Sequence, residues 1–350
     1  MKILVAKDDR FQLHLKGIPH LESPKRFIAA STTLEDPIFN GMLQFVPARE
    51  ASLEELSLVH TPEYISRIGE SRFRPMTTFD LDTQGSEQTF DVARLAVGTI
   101  LNLMDGIWLG QAKRGLALVR PPGHHAEPSR AMGFCIFNNI ALAARYLLRR
   151  HRVKRLMIVD VDLHHGNGTQ RVFYDSDEVL FVSWHVQPGF PGTGGLGEIG
   201  QGAGEGFTVN VPLKPGYGDK DFARITYFLL NSLAQEYRPE MLLVSCGFDL
   251  YFKDPLGAMK VTPHGYALIT SFLLDLAERF CQGRVAFILE GGYSLNGIRE
   301  CLMRVAMEMC DIPTLTTRQI DDVRNLNGWP IACVKKVHEI HRCYWRSLAG

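Results

Sequence analysis

RLMIVDVDLHHGNGTQ, residues 155–170, begins as an apolar run and ends in ionisable residues. The run RLMIVDV (155–161) is short and apolar throughout, which predicts a β-strand with both faces covered, as in a parallel sheet. Two aspartates and two adjacent histidines then fall within positions 160–165. Residue types that hold metals and move protons therefore stand at the carboxyl end of a strand, where open parallel sheets bind their ligands.

Working outward, similar runs occur at GLALV (115–119), EVLFVSW (178–184), FTVNVPL (207–213), MLLVSC (241–246) and RVAFILE (284–290). Between and around them, apolar residues recur at three- and four-residue spacing over 86–104, 138–150, 219–237, 264–280 and 295–309, which predicts amphipathic helices. The alternation implies an α/β fold, a mostly parallel sheet with helices on both faces. The Gly-rich stretch PGFPGTGGLGEIGQGAGEG (188–206) lies between two predicted strands and reads as one long surface loop. It lacks the GxxxxGK[ST] pattern of a phosphate loop. The segment after about residue 312 has a weaker pattern and is expected to pack helically on the outside. Residues 1–350 are thus expected to form a single domain.

The formal net charge is zero and 45% of residues are hydrophobic, so there is ample core material and no global pull toward nucleic acid or anionic membrane. The seven cysteines include no CxxC pair; reduced thiols and a cytoplasmic location are the expectation. The apolar run in MKILVAKDDR is too short for a signal-peptide core. Nothing approaches the roughly 20 apolar residues of a membrane span.

The strand ends carry the chemistry. After GLALV come His124 and His125; after RLMIV come Asp160, Asp162, His164 and His165; after EVLFVSW comes His185. After MLLVSC comes Asp249, and after RVAFILE comes Tyr293 behind Gly291 and Gly292. Strand alternation would put Asp160, Asp162 and His164 on one side. Carboxylate oxygen and imidazole nitrogen both ligate Zn²⁺. Asp162, His164 and Asp249 offer three such ligands and leave a position for water, as in catalytic rather than structural sites. Asp249 alone reads equally well as a helix cap; beside the DxDxHH cluster it reads as a ligand. His124 and His125 follow a Pro-Pro-Gly turn and can face one cavity, where neutral imidazole is the usual general base. Asp160 and Asn167 remain to orient the two rings. An Asp partner raises a histidine pKa and an Asn cannot do so by charge, so the two histidines could divide acid and base roles. Tyr293 could donate a hydrogen bond to an oxyanion or simply pack against a helix.

RPPGHHA, GFCIFNNIALAA, VDVDLHHGNGTQ, PGTG, CGFDLYFKDPLGAMKVT and LEGGY stand in the order and spacing of the histone deacetylase superfamily, which includes acetylpolyamine amidohydrolases and bacterial deacetylase-like proteins. The resemblance covers roughly residues 20–310 and implies the arginase/deacetylase fold, with the active site at the C-terminal ends of the strands. It implies one catalytic zinc on Asp162, His164 and Asp249, a tandem pair in which His125 is the general base, and Tyr293 as the residue polarising the amide carbonyl. It further implies a structural potassium ion held through Asp160, Asp162, His164, Ser183 and Trp184. Phe134, with Gly133 beside it, and Phe190 would line an acyl-lysine channel, and Asp82 would grip substrate backbone at the rim.

Three departures are informative. Asn167 stands where many class I enzymes have Asp, as in the class II and bacterial branches. Leu256 in DPLG stands where polyamine-preferring eukaryotic members carry a gatekeeper Glu. Only about sixteen residues separate Ile65 from Asp82, where bacterial acetylpolyamine amidohydrolases carry a long insertion.

The expected function is removal of an acetyl or other acyl group from an acylated amine by a zinc-dependent amidohydrolase, with acetyl-lysine in protein or peptide as the leading substrate. An acetylated polyamine, a silent zinc protein that binds acyl-lysine, a binuclear arginase-type enzyme, and a sugar or thioester deacylase are the rivals. No nucleic-acid or membrane contact is expected, and the sequence leaves the oligomeric state open.

Overall fold

The apolar runs assemble into one parallel sheet. In the computed structural model, which describes residues 2–325 and 331–348, eight strands build it. They are β1 (Ile3–Ala6), β2 (Leu43–Phe45), β3 (Arg114–Ala117), β4 (Leu156–Asp160), β5 (Val179–Val186), β6 (Thr208–Leu213), β7 (Met241–Cys246) and β8 (Val285–Leu289). Their order is β2-β1-β3-β8-β7-β4-β5-β6, and every neighbouring pair is parallel.

Successive residues of the central strands enter opposite cores. Met157 and Val159 of β4 pack into one hydrophobic cluster with Leu242 and Val244 of β7 and Phe287 of β8. Ile158 joins Leu243, Ala286 and Ile288 in the other. The first cluster is closed by the helices Pro24–Thr33, Pro263–Phe280 and Leu295–Met309, through residues such as Ala30, Leu273 and Leu302. The second is closed by Thr89–Trp108 and Asn139–Arg150, through Leu103 and Leu147. Two covered faces explain why these strands lack polar alternation. Truncating one such residue, Ile158→Ala for example, is expected to cost about 2–5 kcal/mol.

The order β3-β8-β7-β4 positions the site. Four strands scattered between residues 114 and 289 become neighbours, so the loops leaving their carboxyl ends share one rim. Helix starts then fix the loops. The Asn138 side chain accepts from Ala141 N, opening Asn139–Arg150, and Ser294 Oγ accepts from Gly297 N, opening Leu295–Met309 directly after Tyr293.

The structure revises several expectations. His185 lies inside β5 rather than beyond it. The segment 219–237 is helical throughout, as expected, but its middle, Ile225–Leu230, is π-helical between Asp219–Arg224 and Asn231–Tyr237. Strands β1 and β2, the helix Pro24–Thr33 and the helix Asn167–Phe173 were not expected. Residues 188–206 do form the connection between β5 and β6, held from within by His185 Nε2 against Gly194 O at 2.9 Å and by Gly195 N donating to Glu198 Oε1 at 2.8 Å. Beyond residue 312, Thr317–Arg324 and Ala332–His341 are helical, with Val334 and Val337 packed on the core; 326–330 and 349–350 lie outside the described residues. Among the described residues no helix is long and apolar enough to cross a membrane.

Candidate active site

β4 ends at Asp160, and the strand-alternation argument ends with it. Two successive turns carry the chain onward. Asp160 Oδ1 accepts from Asp162 N at 3.1 Å, and Asp162 Oδ1 accepts from His164 N at 2.9 Å. Each is an aspartate bonding its own backbone two residues on, which replaces the lost ladder. Asp160 therefore turns toward His124, while Asp162 and His164 turn toward Asp249. The pattern DxDxH is a turn device as well as a set of donors.

Asp162, His164 and Asp249 place one ligating atom each within 4.8 Å of one another. His164 Nδ1 stands 3.2 Å from both Asp162 Oδ1 and Asp249 Oδ2. Leu163 N donates to Asp249 Oδ1, and Gly291 N donates to Asp162 Oδ2, both at 2.9 Å. Asp249 Oδ2 is buried and accepts no hydrogen bond. Burial, then the charge of Asp162, push the Asp249 carboxyl up to about 7 against the pull of His164. Two buried carboxylates crowded around one imidazole, with one oxygen orphaned, are short of positive charge. A divalent metal ion fits that deficit, and carboxylate with imidazole is a donor set suited to zinc. The cradle admits no side chain at Gly291, where a Cβ would meet Asp249 Oδ2 at 2.5 Å and Asp162 Oδ2 at 2.6 Å.

The tandem histidines lie against this group with ring centroids 3.9 Å apart. His124 Nδ1 is 3.0 Å from Asp160 Oδ2, and His125 Nδ1 is 2.8 Å from Asn167 Oδ1. Burial opposes charge on His124, but Asp160, Asp162 and Glu290 lift it to about 10. Burial, His124 and His164 together hold His125 well below the usual histidine range. The two rings are thus driven in opposite directions, His124 upward by its carboxylate neighbours and His125 downward by burial and two imidazoles. Asn167 is the first residue of the helix Asn167–Phe173, and the Asn138 amide donates to Ala126 O at 3.1 Å behind the pair.

Tyr293 completes the rim. Its backbone N donates to Asp254 Oδ2 at 2.6 Å, and the Arg26 guanidinium lies 5.0 Å from its ring centroid. Burial keeps the phenol far above its ordinary pKa, hence protonated. Phe134 meets the Tyr293 ring edge-on at 5.7 Å, and Phe190, 40% exposed, meets His125 at 5.0 Å and His164 at 6.1 Å. Gly133 and Phe134 both have positive φ, and a Cβ on Gly133 would strike His125 at 2.3 Å. Asp82 Oδ1 accepts from Gly133 N at 3.1 Å, so it braces the Phe134 turn from outside. Leu256 is part-exposed, its N bonded to Asp254 Oδ1. Ser183 is the register partner of Asp160 but its hydroxyl bonds His185 Nδ1 at 3.0 Å, and Trp184 is fully buried one residue on.

Sequence reasoning missed Glu290, Arg26 and Asp254. Glu290 Oε2 accepts from Gly123 N (2.7 Å) and His124 N (3.1 Å), and its Oε1 from Ser245 Oγ (3.1 Å), so it clamps the histidine turn to the sheet. Glu290 also forms, with His124 and Cys135, a second group whose ligating atoms lie within 4.8 Å of one another. A carboxylate closing an apolar strand was the available signal. Arg26 donates to Gly292 O at 2.6 Å and to Glu290 O, a pairing across some 260 residues that no local pattern reveals.

A family model described as "Histone deacetylase domain" matches residues 20–309. The chain belongs to the histone deacetylase family. It is 37% identical to Histone deacetylase 15 of Arabidopsis thaliana, over 99% of this chain and 63% of that protein. It is 40% identical to a "Probable deacetylase" of Archaeoglobus fulgidus, over 83% and 80%. It is also 39% identical to "Polyamine deacetylase HDAC10" of Homo sapiens, over 94% and 50%. This deacetylase-family chain therefore spans about half to two thirds of several curated relatives. The crystal structure of the HDA15 HD domain superposes with a TM-score of 0.88 at 36% identity, covering 100% of this chain and 97% of that one. The expected deacetylase fold is the observed one.

Proposed function

We propose that residues 1–350 act as one zinc-dependent deacetylase domain that hydrolyses the amide of an acylated amine, foremost acetyl-lysine in a protein or peptide. The observation that carries this reading is the three-atom group of Asp162, His164 and Asp249, with its orphaned oxygen, beside two tandem histidines bonded to Asp160 and Asn167. Asp162, His164 and Asp249 would hold the zinc, which supplies Lewis acidity to a carbonyl and to a water molecule.

The chain's own residues do the rest. His125, neutral and with Nδ1 bound to Asn167, offers Nε2 to take a proton from the attacking water. His124 stays cationic on Asp160 and stabilises the developing negative charge. The protonated Tyr293 hydroxyl donates to the oxyanion. A proton returned from the histidine pair to nitrogen releases the amine, leaving acetate as the other product. Phe134 and Phe190 flank the acyl-lysine stem, Gly133 keeps the wall thin beside His125, and Asp82 holds that wall in place. Potassium on Asp160, Asp162, His164, Ser183 and Trp184, and a cytoplasmic setting, belong to the same proposal.

Leu256 puts no charge at the rim, which favours acetyl-lysine over a cationic polyamine; the 39% identity to a polyamine deacetylase keeps acetylpolyamine as the second reading. The test is a rate comparison on zinc-loaded protein among an acetyl-lysine peptide, acetylputrescine, acetylspermidine and a longer acyl-lysine peptide. The acetyl-lysine peptide is expected to give the highest kcat/KM. Preference for a polyamine would select the second reading, and no turnover on any substrate would refute deacylase function.

A further inference from the structure

His125 works as a base only in one tautomer. With a proton on Nδ1, the Nε2 lone pair is free to accept; with the proton on Nε2, it is not. The partner of Nδ1 is the Asn167 side chain, an amide with an acceptor at one end and donors at the other. Turned one way, Asn167 presents oxygen and demands Nδ1–H. Turned the other way, it presents NH₂ and selects the unproductive tautomer. Orientation of such an amide is decided by what its other end meets.

The other end meets Glu127. Asn167 Nδ2 donates to Glu127 Oε1 at 3.1 Å. The other two acceptors of Nδ2 are weaker: His125 O at 3.5 Å and the Met132 thioether Sδ at 3.3 Å. An ionised carboxylate accepts and never donates, so it tolerates only the NH₂ end. Glu127 is half-buried at the edge of a cavity of about 400 Å³, whose lining includes Asn167, Arg171 and Glu198. Water in such a polar cavity could either donate to or accept from the amide, and would leave its orientation undetermined. Glu127 has a defined place as well. Its backbone closes a tight turn, Glu127 N donating to Arg130 O at 2.9 Å, and Ala126 just before it is held by the Asn138 amide.

We propose that Glu127 is a positioning residue: through Asn167 it sets the tautomer of His125 and so keeps Nε2 available as the base. The inference rests on the assignment of His125 as general base in the proposed deacetylase reaction, but its first readout does not. Glu127→Lys replaces an acceptor by a donor and should invert the Asn167 amide. In ¹⁵N-histidine-labelled protein, His125 is assigned by the signal lost in His125→Gln. It should carry its proton on Nδ1 in the wild type and on Nε2 in Glu127→Lys.

Since general-base catalysis is worth about 10²–10⁴-fold, kcat of the zinc-loaded variant should fall at least tenfold across the whole pH plateau. A pure charge effect would shift the acid limb and spare the plateau. Glu127→Gln keeps an acceptor and should stay within about threefold of wild type, while Glu127→Met, uncharged and without an oxygen, should fall between. The pair Glu127→Lys with Asn167→Asp restores an acceptor toward His125 and a donor behind it, and should recover most of the kcat lost and the Nδ1–H tautomer. Melting temperatures of all variants separate these effects from unfolding, and Glu127→Met tests the idea if Glu127→Lys does not fold. An unchanged His125 tautomer in folded Glu127→Lys overturns the proposal. A switched tautomer with undiminished kcat supports Glu127's control of Asn167 and refutes His125 as the base.

Discussion

Two buried charge clusters lie within one fold and are built on opposite terms. In the first, Glu22 receives Arg26 Nη1 at 2.8 Å and Arg120 Nη2 at 2.7 Å. The two guanidinium groups spend their other donors on backbone carbonyls, including those of Phe11, His14 and Gly292. His14 closes that cluster, neutral, with Nδ1 2.9 Å from Thr89 Oγ1. In the second, Asp162 and Asp249 share His164, and an Asp249 oxygen has no hydrogen bond. The closed cluster pairs its charges and its donors; the open one crowds two carboxylates on one imidazole and leaves an oxygen unpaired. Carboxylates equally buried but unequally completed are what separate a structural network from a candidate reaction centre.

Removing one acid from each cluster should have opposite consequences. Asp249→Asn should lose zinc, from one per chain to near none by elemental analysis, and with it all measurable deacetylation. Metal-free Asp249→Asn should nevertheless melt no lower than metal-free wild type, because the substitution relieves repulsion. Glu22→Gln should do the reverse, costing about 3–5 kcal/mol in urea denaturation by leaving two buried guanidinium groups without a counter-charge. Equal destabilisation by both would erase the distinction.

Tyr293→Phe should keep zinc and lose about 10²–10³ in kcat, since one oxyanion donor is removed and the ring remains. A smaller effect comes from pH. Burial holds His14 at about 3 and His60 at about 4, below the 6.5 of an exposed histidine. From pH 6.5 down to about 4 these two histidines bind more protons in the unfolded chain than in the folded one, so the stability they contribute falls as pH falls. Thermal melts of metal-free protein should follow this, and a His14→Asn variant should show a shallower decline; an unchanged slope would mean His14 is not held neutral. The smallest effect is expected at the rim. Leu256→Glu should shift kcat/KM toward acetylspermidine by only about two- to fivefold, as a part-exposed charge pair is worth no more than about 1 kcal/mol.

The two clusters were not equally legible. The open one lies on strand ends that announce themselves: DVDLHH after an apolar run, GFD after another, HH after a Pro-Pro-Gly turn. Their convergence followed from the general placement of ligands in parallel sheets. The closed one joins Glu22, Arg26 and Arg120 across up to 98 residues, and no spacing rule pairs residues so far apart. Strands β1 and β2 were missed because runs of four and three residues carry no period. The side of Asp162 and His164 was reached by the wrong route: the strand stops at Asp160, and side-chain-to-backbone turns, rather than pleat, aim the next residues. The bond from Gly133 N to Asp82 Oδ1 was not legible either, since it joins two loops 51 residues apart.

On the proposed function, the open cluster takes up one zinc ion and then hydrolyses an acetyl amide with Tyr293's help. The direct measurement is acetate release from an acetyl-lysine peptide by chelator-stripped protein as zinc is returned, run in parallel on Tyr293→Phe. No release is expected without metal, full activity at one equivalent of zinc per chain, and a Tyr293→Phe curve that saturates at the same equivalence but far lower rate. Saturation at two equivalents, release without metal, or a Tyr293→Phe rate equal to wild type would contradict it.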